Sequence, residues 1–167
     1  MSAAQGSVTL LDDPIAKELL SSTIPARLGY VWPDGTPRVV PVWFHWNGIE
    51  FVIATMPKAP KLKALRMNPK VALTVDDNSF PHKILMVRGT AALKEVAGIV
   101  PEYELAAHRY FGDVQGAEWI QQARQTVKSM VRISVRPEWV GVLDFQSRFP
   151  GNLHQKTQSF PLVFQAS

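Results

Sequence analysis

The stretch ARLGYVWPDGTPRVVPVWFHWNGIEFVIAT, residues 26–55, decides the architecture. Asp34-Gly35 separates the apolar run Ala26–Trp32 from Pro37–Trp46, and Asn47-Gly48 separates that run from Ile49–Thr55. Both dipeptides supply the positive φ angles that tight hairpins need, so three consecutive antiparallel strands are expected. In the second and third, Val39, Val40, Val42, Trp43, Phe44, Trp46, Phe51, Val52 and Ile53 alternate only weakly with polar residues. Both faces are therefore expected to be covered, inside a barrel or at an interface. Trp43 and Trp46 stand three apart on one expected strand and so point to opposite faces.

The next stretch, TMPKAPKLKALRMNPKVALTV, residues 55–75, holds five positive charges and no acid. Pro57 and Pro60 permit helix only from about Ala59 onward, because proline fits a first turn and not a helix interior. Lys58, Lys61 and Lys63 then crowd a helix N-terminus, where the macrodipole favours acids over bases by roughly 0.3–1 kcal/mol per charge. A triple breach of that preference points to an anion, phosphate above all, that completes the site. The bland reading is a solvated basic helix end, since charge runs alone are weak evidence.

Further along, Lys70–Asp76 alternates as a strand, and Ile84–Leu93 is another, interrupted at Gly89 where a bulge or a close backbone approach is expected. Pro101 opens a helix that stops at Gly112, a second helix runs from about Gly116 to Ser129, and Met130–Asp144 is a last strand with a possible break near Pro137. Six antiparallel strands cannot leave long edges open in water, so the expected fold is a mainly β, α+β chain closed into a small barrel with helices on one side. Residues 1–14 and 148–167 are expected as tails around one domain, 15–147.

Composition narrows the function classes. At 167 residues, 46% apolar and 19% charged, the chain has the make-up of one globular domain. Its net charge of +4 is mild, and the basic excess is local to residues 55–70. The absence of cysteine excludes disulfides, thiolate catalysis and cysteine metal sites. No signal peptide and no apolar run of about 20 residues is found, so a cytoplasmic protein without a membrane span is expected. HExxH, P-loop, GxSxG and GxGxxG patterns are missing, which removes the zinc hydrolase, nucleoside triphosphatase, serine hydrolase and Rossmann readings. His45 and His82 are candidate proton donors by residue type, each with an ordinary surface or interface histidine as the plainer reading.

The element order, together with Asp34-Gly35, Val40-Pro41-Val42-Trp43, Thr55 through Lys63, Leu65 through Val71 and Arg88-Gly89-Thr90-Ala91, resembles the split β-barrel flavin-binding superfamily. That superfamily contains pyridoxamine 5'-phosphate oxidase and the related FMN- or F420-dependent oxidoreductases. The resemblance spans about Ile15 to Asp144 and implies a six-stranded antiparallel split barrel. It places Thr55 and Met56 beside a cofactor phosphate, with Lys58, Lys61 and Lys63 where the family grips it. Val40, Pro41, Val42 and Trp43 fall on the segment that lines the isoalloxazine ring. It further implies a homodimer in which His82, Lys83 and Ile84 reach the site from the partner chain. Lys63-Ala64-Leu65 departs from the Arg-Asn-Leu of many members, and the Arg-rich C-terminal signature of the true oxidases is not evident in Trp139–Phe149.

The resemblance thus implies a flavin-family oxidoreductase that moves a hydride between bound FMN and a small organic substrate. F420 is the alternative cofactor, with Lys70 or Lys83 available to its glutamate tail. Two readings of another class stand beside it. One is a ligand-binding barrel without turnover. The other is a nucleic-acid-binding barrel, which the clustering of the lysines at one helix end and the burial of the aromatics in apolar strands disfavour.

Overall fold

Asn47 closes its hairpin by accepting hydrogen bonds from the N–H groups of Ile49 and Glu50, at 2.9 and 2.8 Å, while Gly48 takes a φ of 93°. Asp34 accepts from both the N–H and the hydroxyl of Thr36, at 2.9 and 2.6 Å, and turns the chain at the other signal. The computed structural model describes residues 4–148. A 3-10 turn, Val8–Asp12, leads into α1 (Pro14–Ser21), β1 (Ala26–Val31), β2 (Pro37–Val42), β3 (His45–Trp46) and β4 (Phe51–Thr55). Then follow α2 (Lys61–Met67), β5 (Lys70–Asp76), β6 (Lys83–Ala97), α3 (Pro101–Phe111), α4 (Asp113–Thr126) and β7 (Ser129–Asp144).

The strands form one antiparallel sheet in the order β2-β1-β5-β6-β7-β4-β3, a split-barrel-like α+β fold. Seven strands replace the expected six, and the sheet is not closed by hydrogen bonds. The reason lies in Pro37–Trp46, expected as one strand of a meander. Its first part pairs with β1 (Val42 opposite Ala26) and its last part with β4 (His45 opposite Val52). The two parts are the two edges of the sheet, and Trp43-Phe44 carries the chain across the split between them. Pro37 and Pro41 fit β2 because an edge strand can lack donors.

The long β6 and β7 pair along their whole length and bind the two halves together. Their register shifts at Arg88/Gly89, where Gly89 lies opposite Pro137. A Cβ on Gly89 would stand 2.1 Å from the Arg136 carbonyl oxygen, so the expected close backbone approach is present and demands glycine. β7 continues through Pro137 without a break.

The core fills the barrel with Leu28, Phe44, Phe51, Ile53, Leu85 and Ile133 among its fully buried side chains. Residues before Pro14, expected as a tail, join this body: Leu10 is buried, and Gly6 and Gln5 hydrogen-bond to Val140 and Val142. Arg148 pairs with Asp13 at 2.8 Å, and the rest of the expected C-terminal tail lies outside the described residues. Helix α4 begins at Asp113, three residues before the expected Gly116, because Gly112 with φ 81° ends α3 and the chain turns at once. Among the described residues no helix is long and apolar enough to cross a membrane.

Candidate functional site

Strand β4 ends at Thr55, and the chain turns through Met56–Pro60, with the Ala59 N–H donating to the Met56 carbonyl at 3.0 Å. Helix α2 starts at Lys61, two residues later than expected, with Pro60 as its N-cap and no side-chain cap. Leu62, Ala64 and Leu65 bury the inner face of this short helix against the barrel. That anchoring fixes the direction of the cations. Lys58, Lys63 and Arg66 point to water, whereas Lys61 is half-buried.

Burial holds the Lys61 ammonium below its ordinary value of 10.5, and no other cause offsets it. Among the described residues none of Lys58, Lys61, Lys63 and Arg66 forms an ion pair, in contrast to Lys17, Lys70 and Lys83. A partly desolvated cation without an acid is unfavourable, and an anion at this corner would reverse that cost. Unpartnered lysines flanking Thr55 are the donor set a phosphate group requires, so the residues fit a phosphorylated cofactor.

The other expected site residues lie in two further groups. On edge strand β2, Pro41 is exposed, Val40 half-buried and Val42 buried. The Trp43 ring is engaged by its own chain: it stacks on Tyr110 and Tyr103, with centroids 5.0 and 5.8 Å apart, and meets Phe111 and Trp119 edge-on. This aromatic cage on α3 and α4 holds the crossing segment in place. His82 Nδ1 lies 3.1 Å from the Asp77 carbonyl, and its ring meets Phe80 and Phe145 edge-on. Lys83 pairs with Glu18 of α1 at 2.6 Å, and Ile84 lies between Asp76 and Leu143 in the sheet. The lysine corner and the His82–Ile84 segment sit near opposite ends of β5, whose seven residues span roughly 23 Å at about 3.3 Å each. One chain does not bring them together.

Strands β2, β1, β5 and β6 turn one face outward. Pro37, Val39, Pro41, Val31 and Ala72 are exposed on it, Val39 at 67%, and Gly29 lies between Val39 and Ala72. Arg88, on the same face, stacks its guanidinium over Trp139 at 4.1 Å, while Arg27 pairs with Asp76.

Sequence reading missed two features. Arg132 binds Glu102 at 2.7 Å and approaches Glu50 at 3.6 Å, uniting β7, α3 and the β3–β4 hairpin. Burial alone would raise the Glu102 carboxyl, yet the hydrogen bonds and charge of Arg132 hold it below its ordinary value. His45, close to this group, is lowered by burial and by Arg109, which together outweigh Glu102. The second feature is a cleft of about 770 Å³ among the N-terminal turn, α1, the β3–β4 hairpin and α3, lined by His45, Trp46, Ile49, Leu105 and Arg109 among others. None of the three lysines lines it. Neither feature has a short motif, because their residues come from elements far apart in the chain.

The model of the pyridoxamine 5'-phosphate oxidase family matches residues 13–144, most of the chain. Among solved structures, an F420 reductase is 29% identical, with 75% of this chain and 94% of that chain covered and a TM-score of 0.58. A conserved hypothetical protein from Mycobacterium tuberculosis shares the fold at 18% identity, with 87% and 91% covered and a TM-score of 0.63. The haem storage protein of Vibrio cholerae does so at 20% identity, with 79% and 93% covered and a TM-score of 0.57. No protein of curated function matches the sequence. With the match running from the start of α1 to the last residue of β7, the chain belongs to the pyridoxamine 5'-phosphate oxidase family.

Proposed function

We propose that this protein is a homodimeric oxidoreductase that binds FMN, or its deazaflavin counterpart F420, and moves a hydride to or from a small organic molecule. The observation that carries the reading is Lys61, half-buried and without an acid at the end of β4, in a chain of this family. Lys61 holds the cofactor phosphate from the inside of the corner, and the exposed Lys58 and Lys63 add charge from outside. Thr55 and Met56 flank the phosphate, and the backbone of Val40–Val42 runs beside the ring on an edge strand free to accept a neighbour. The Trp43 side chain, held by Tyr103 and Tyr110, positions that backbone instead of stacking on the ring. When bound, the ring supplies the hydride chemistry.

The outward face of β2, β1, β5 and β6 supports the dimer, since Val31, Pro37, Val39, Pro41 and Ala72 expose adjoining apolar surface on it. A second copy packed there delivers its own His82–Ile84 segment to the lysine corner, which a single chain keeps a strand's length away. If His82 Nδ1–H donates to the Asp77 carbonyl, Nε2 is the atom left to exchange a proton with substrate.

Two observations bear on the cofactor. The 29% identity to an F420 reductase supports F420. Lys70 and Lys83, the cations available to its glutamate tail, pair with Glu138 and Glu18. Such exposed pairs are worth about 0–1 kcal/mol, so a tail carboxylate can exchange with them. The absorbance spectrum of the purified protein tests both readings, FMN giving bands near ~450 and ~370 nm and F420 one near ~420 nm. Rapid mixing of the reduced holoprotein with candidate acceptors then tests hydride transfer. Failure to bind either cofactor at micromolar concentration would remove the proposal, and a spectrum that never reoxidises would leave a binding protein.

A further inference from the structure

The cleft lies at the opposite end of β4 from the lysines. From Ile49 to Thr55 the chain covers about 20 Å at roughly 3.3 Å per residue, so a phosphate at Lys61 does not reach it. Its volume of about 770 Å³ falls within the range of small-molecule sites, roughly 300–1,000 Å³. Leu105 and Ile49, 52% and 65% exposed, form apolar walls together with Trp46.

The polar side of the cleft is cationic. Arg109 donates from Nη1 to the Leu20 carbonyl at 3.2 Å and from Nη2 to the Phe44 carbonyl, and its guanidinium lies 4.6 Å from the Phe44 ring centre. Those contacts hold it rigidly, yet its Nε is buried without an acceptor among the described residues. A guanidinium already held in one orientation on the wall of a cleft is the feature that anion recognition needs. Arg136 also lines the cleft and forms no ion pair among the described residues. The acid of the lining, Asp12, faces Lys17 at 3.5 Å. The lining therefore carries an excess of positive charge beside apolar walls.

We propose that this cleft is a second binding site that takes a small carboxylate with an apolar body. The carboxylate accepts from Arg109 and Arg136, and the body lies against Trp46, Ile49 and Leu105. This pairing of chemistries disfavours a bare phosphate, which leaves the walls unfilled, and a neutral hydrocarbon, which leaves the cationic side of the cleft without a counter-charge.

The test is a titration of the full chain with octanoate and, in parallel, 1-octanol, followed by the amide resonances of Gly48 and Ile49 and the Trp46 indole. Octanoate should bind at least about tenfold more tightly than octanol, with shifts confined to the cleft. Ile49→Glu and Leu105→Glu change exposed positions, so folding should be kept while octanoate binding is lost. Arg136→Gln should narrow the preference for the carboxylate. Arg109→Gln removes a tie between α3, α1 and Phe44, so it is read only alongside the two surface variants. Equal binding of octanol and octanoate would overturn the anion assignment. Shifts away from the cleft, or full octanoate affinity in Ile49→Glu, would overturn the site. Cofactor content does not enter the readout, so the outcome is separable from that of the flavin reading.

Discussion

Replacing Lys61 by Met keeps most of the aliphatic stem and removes the charge, and the two ends of its energy change have opposite signs. In the cofactor-free protein Lys61 is a half-buried cation with no acid beside it, so its loss should stabilise the fold at neutral pH. Burial lowers its folded pKa beneath the unfolded 10.5, so the penalty is full below the folded value. It disappears as pH rises from there towards 10.5, and the melting difference between wild type and variant should close over that window. On the proposed function, the same ammonium would make a charge-assisted hydrogen bond to the cofactor in a partly dry corner, worth about 1.5–3 kcal/mol. Lys61→Met should therefore weaken cofactor binding roughly 10- to 150-fold. Lys58→Met and Lys63→Met remove exposed charges, whose ion pairs are worth about 0.2–1 kcal/mol, and should cost no more than about fivefold each. Isothermal titration with FMN and with F420, beside thermal melts of the stripped protein, measures both signs. Equal losses from all three variants would show that burial does not rank the lysines. Lower apo stability with unchanged affinity would show that Lys61 is structural.

Three other outcomes follow from the geometry. Val39→Asp places a charge on the outward face of β2 and should convert a dimer to monomers by light scattering at micromolar concentration; a wild type already monomeric there would contradict the proposed interface, which as an obligate dimer should bury more than about 2,000 Å². Trp43→Ala empties the cage around Tyr103 and Tyr110 and should cost about 2–3 kcal/mol in denaturant unfolding, below the 3–5 of a fully buried tryptophan, and cofactor affinity falling without loss of stability would show that the ring contacts the cofactor. Asp144 is buried and accepts from Ser147 and from the N–H groups of Gln146 and Arg148, so despite burial its carboxyl lies below the ordinary 3.8. Its contribution is present above 3.8 and lost as pH falls through the folded value, so Asp144→Asn should lower stability at neutral pH and flatten the acid limb of the unfolding curve below pH ~4.

Local signals were legible wherever they act within a few residues. Asn47-Gly48 and Asp34-Gly35 turn the chain as expected because their side chains bond the next two or three residues, and no distant contact can supply that geometry. Gly89 was readable for a different reason: a glycine inside a strong strand pattern has no propensity to recommend it, and the Arg136 backbone occupies the space of its Cβ. The division of Pro37–Trp46 was not legible. Both its parts have strand composition, and only the competition between β1 and β4 for the same segment separates them. The split is then held by Trp43 in its cage and by Phe44, fully buried in the core, contacts that bridge more than 50 residues of chain for the former.

The site divides along the same line. Lys61 and Lys63 violate a rule that operates within one helical turn, so the anomaly shows in the sequence itself, and the structure adds that Lys58 lies before the N-cap Pro60 and that Lys61 is the desolvated one. His82–Ile84 has no local anomaly, and one chain holds it away from the lysines, so the role proposed for it would require a second copy. The cleft is harder still, since the N-terminal turn, α1, the β3–β4 hairpin, α3 and β7 each contribute a few residues. Arg109 makes the point: its neighbours Leu20 and Phe44 are 89 and 65 positions away. Nothing in the local sequence marks it apart from the arginines of other elements. What singles it out is a guanidinium held by two carbonyls and an aromatic face with one N–H left over, a property of the folded neighbourhood alone. A binding function carried by such residues can change without altering any motif. On the two proposals, the lysine corner would carry the cofactor chemistry, and the cleft is where a difference in what the chain binds would be expressed.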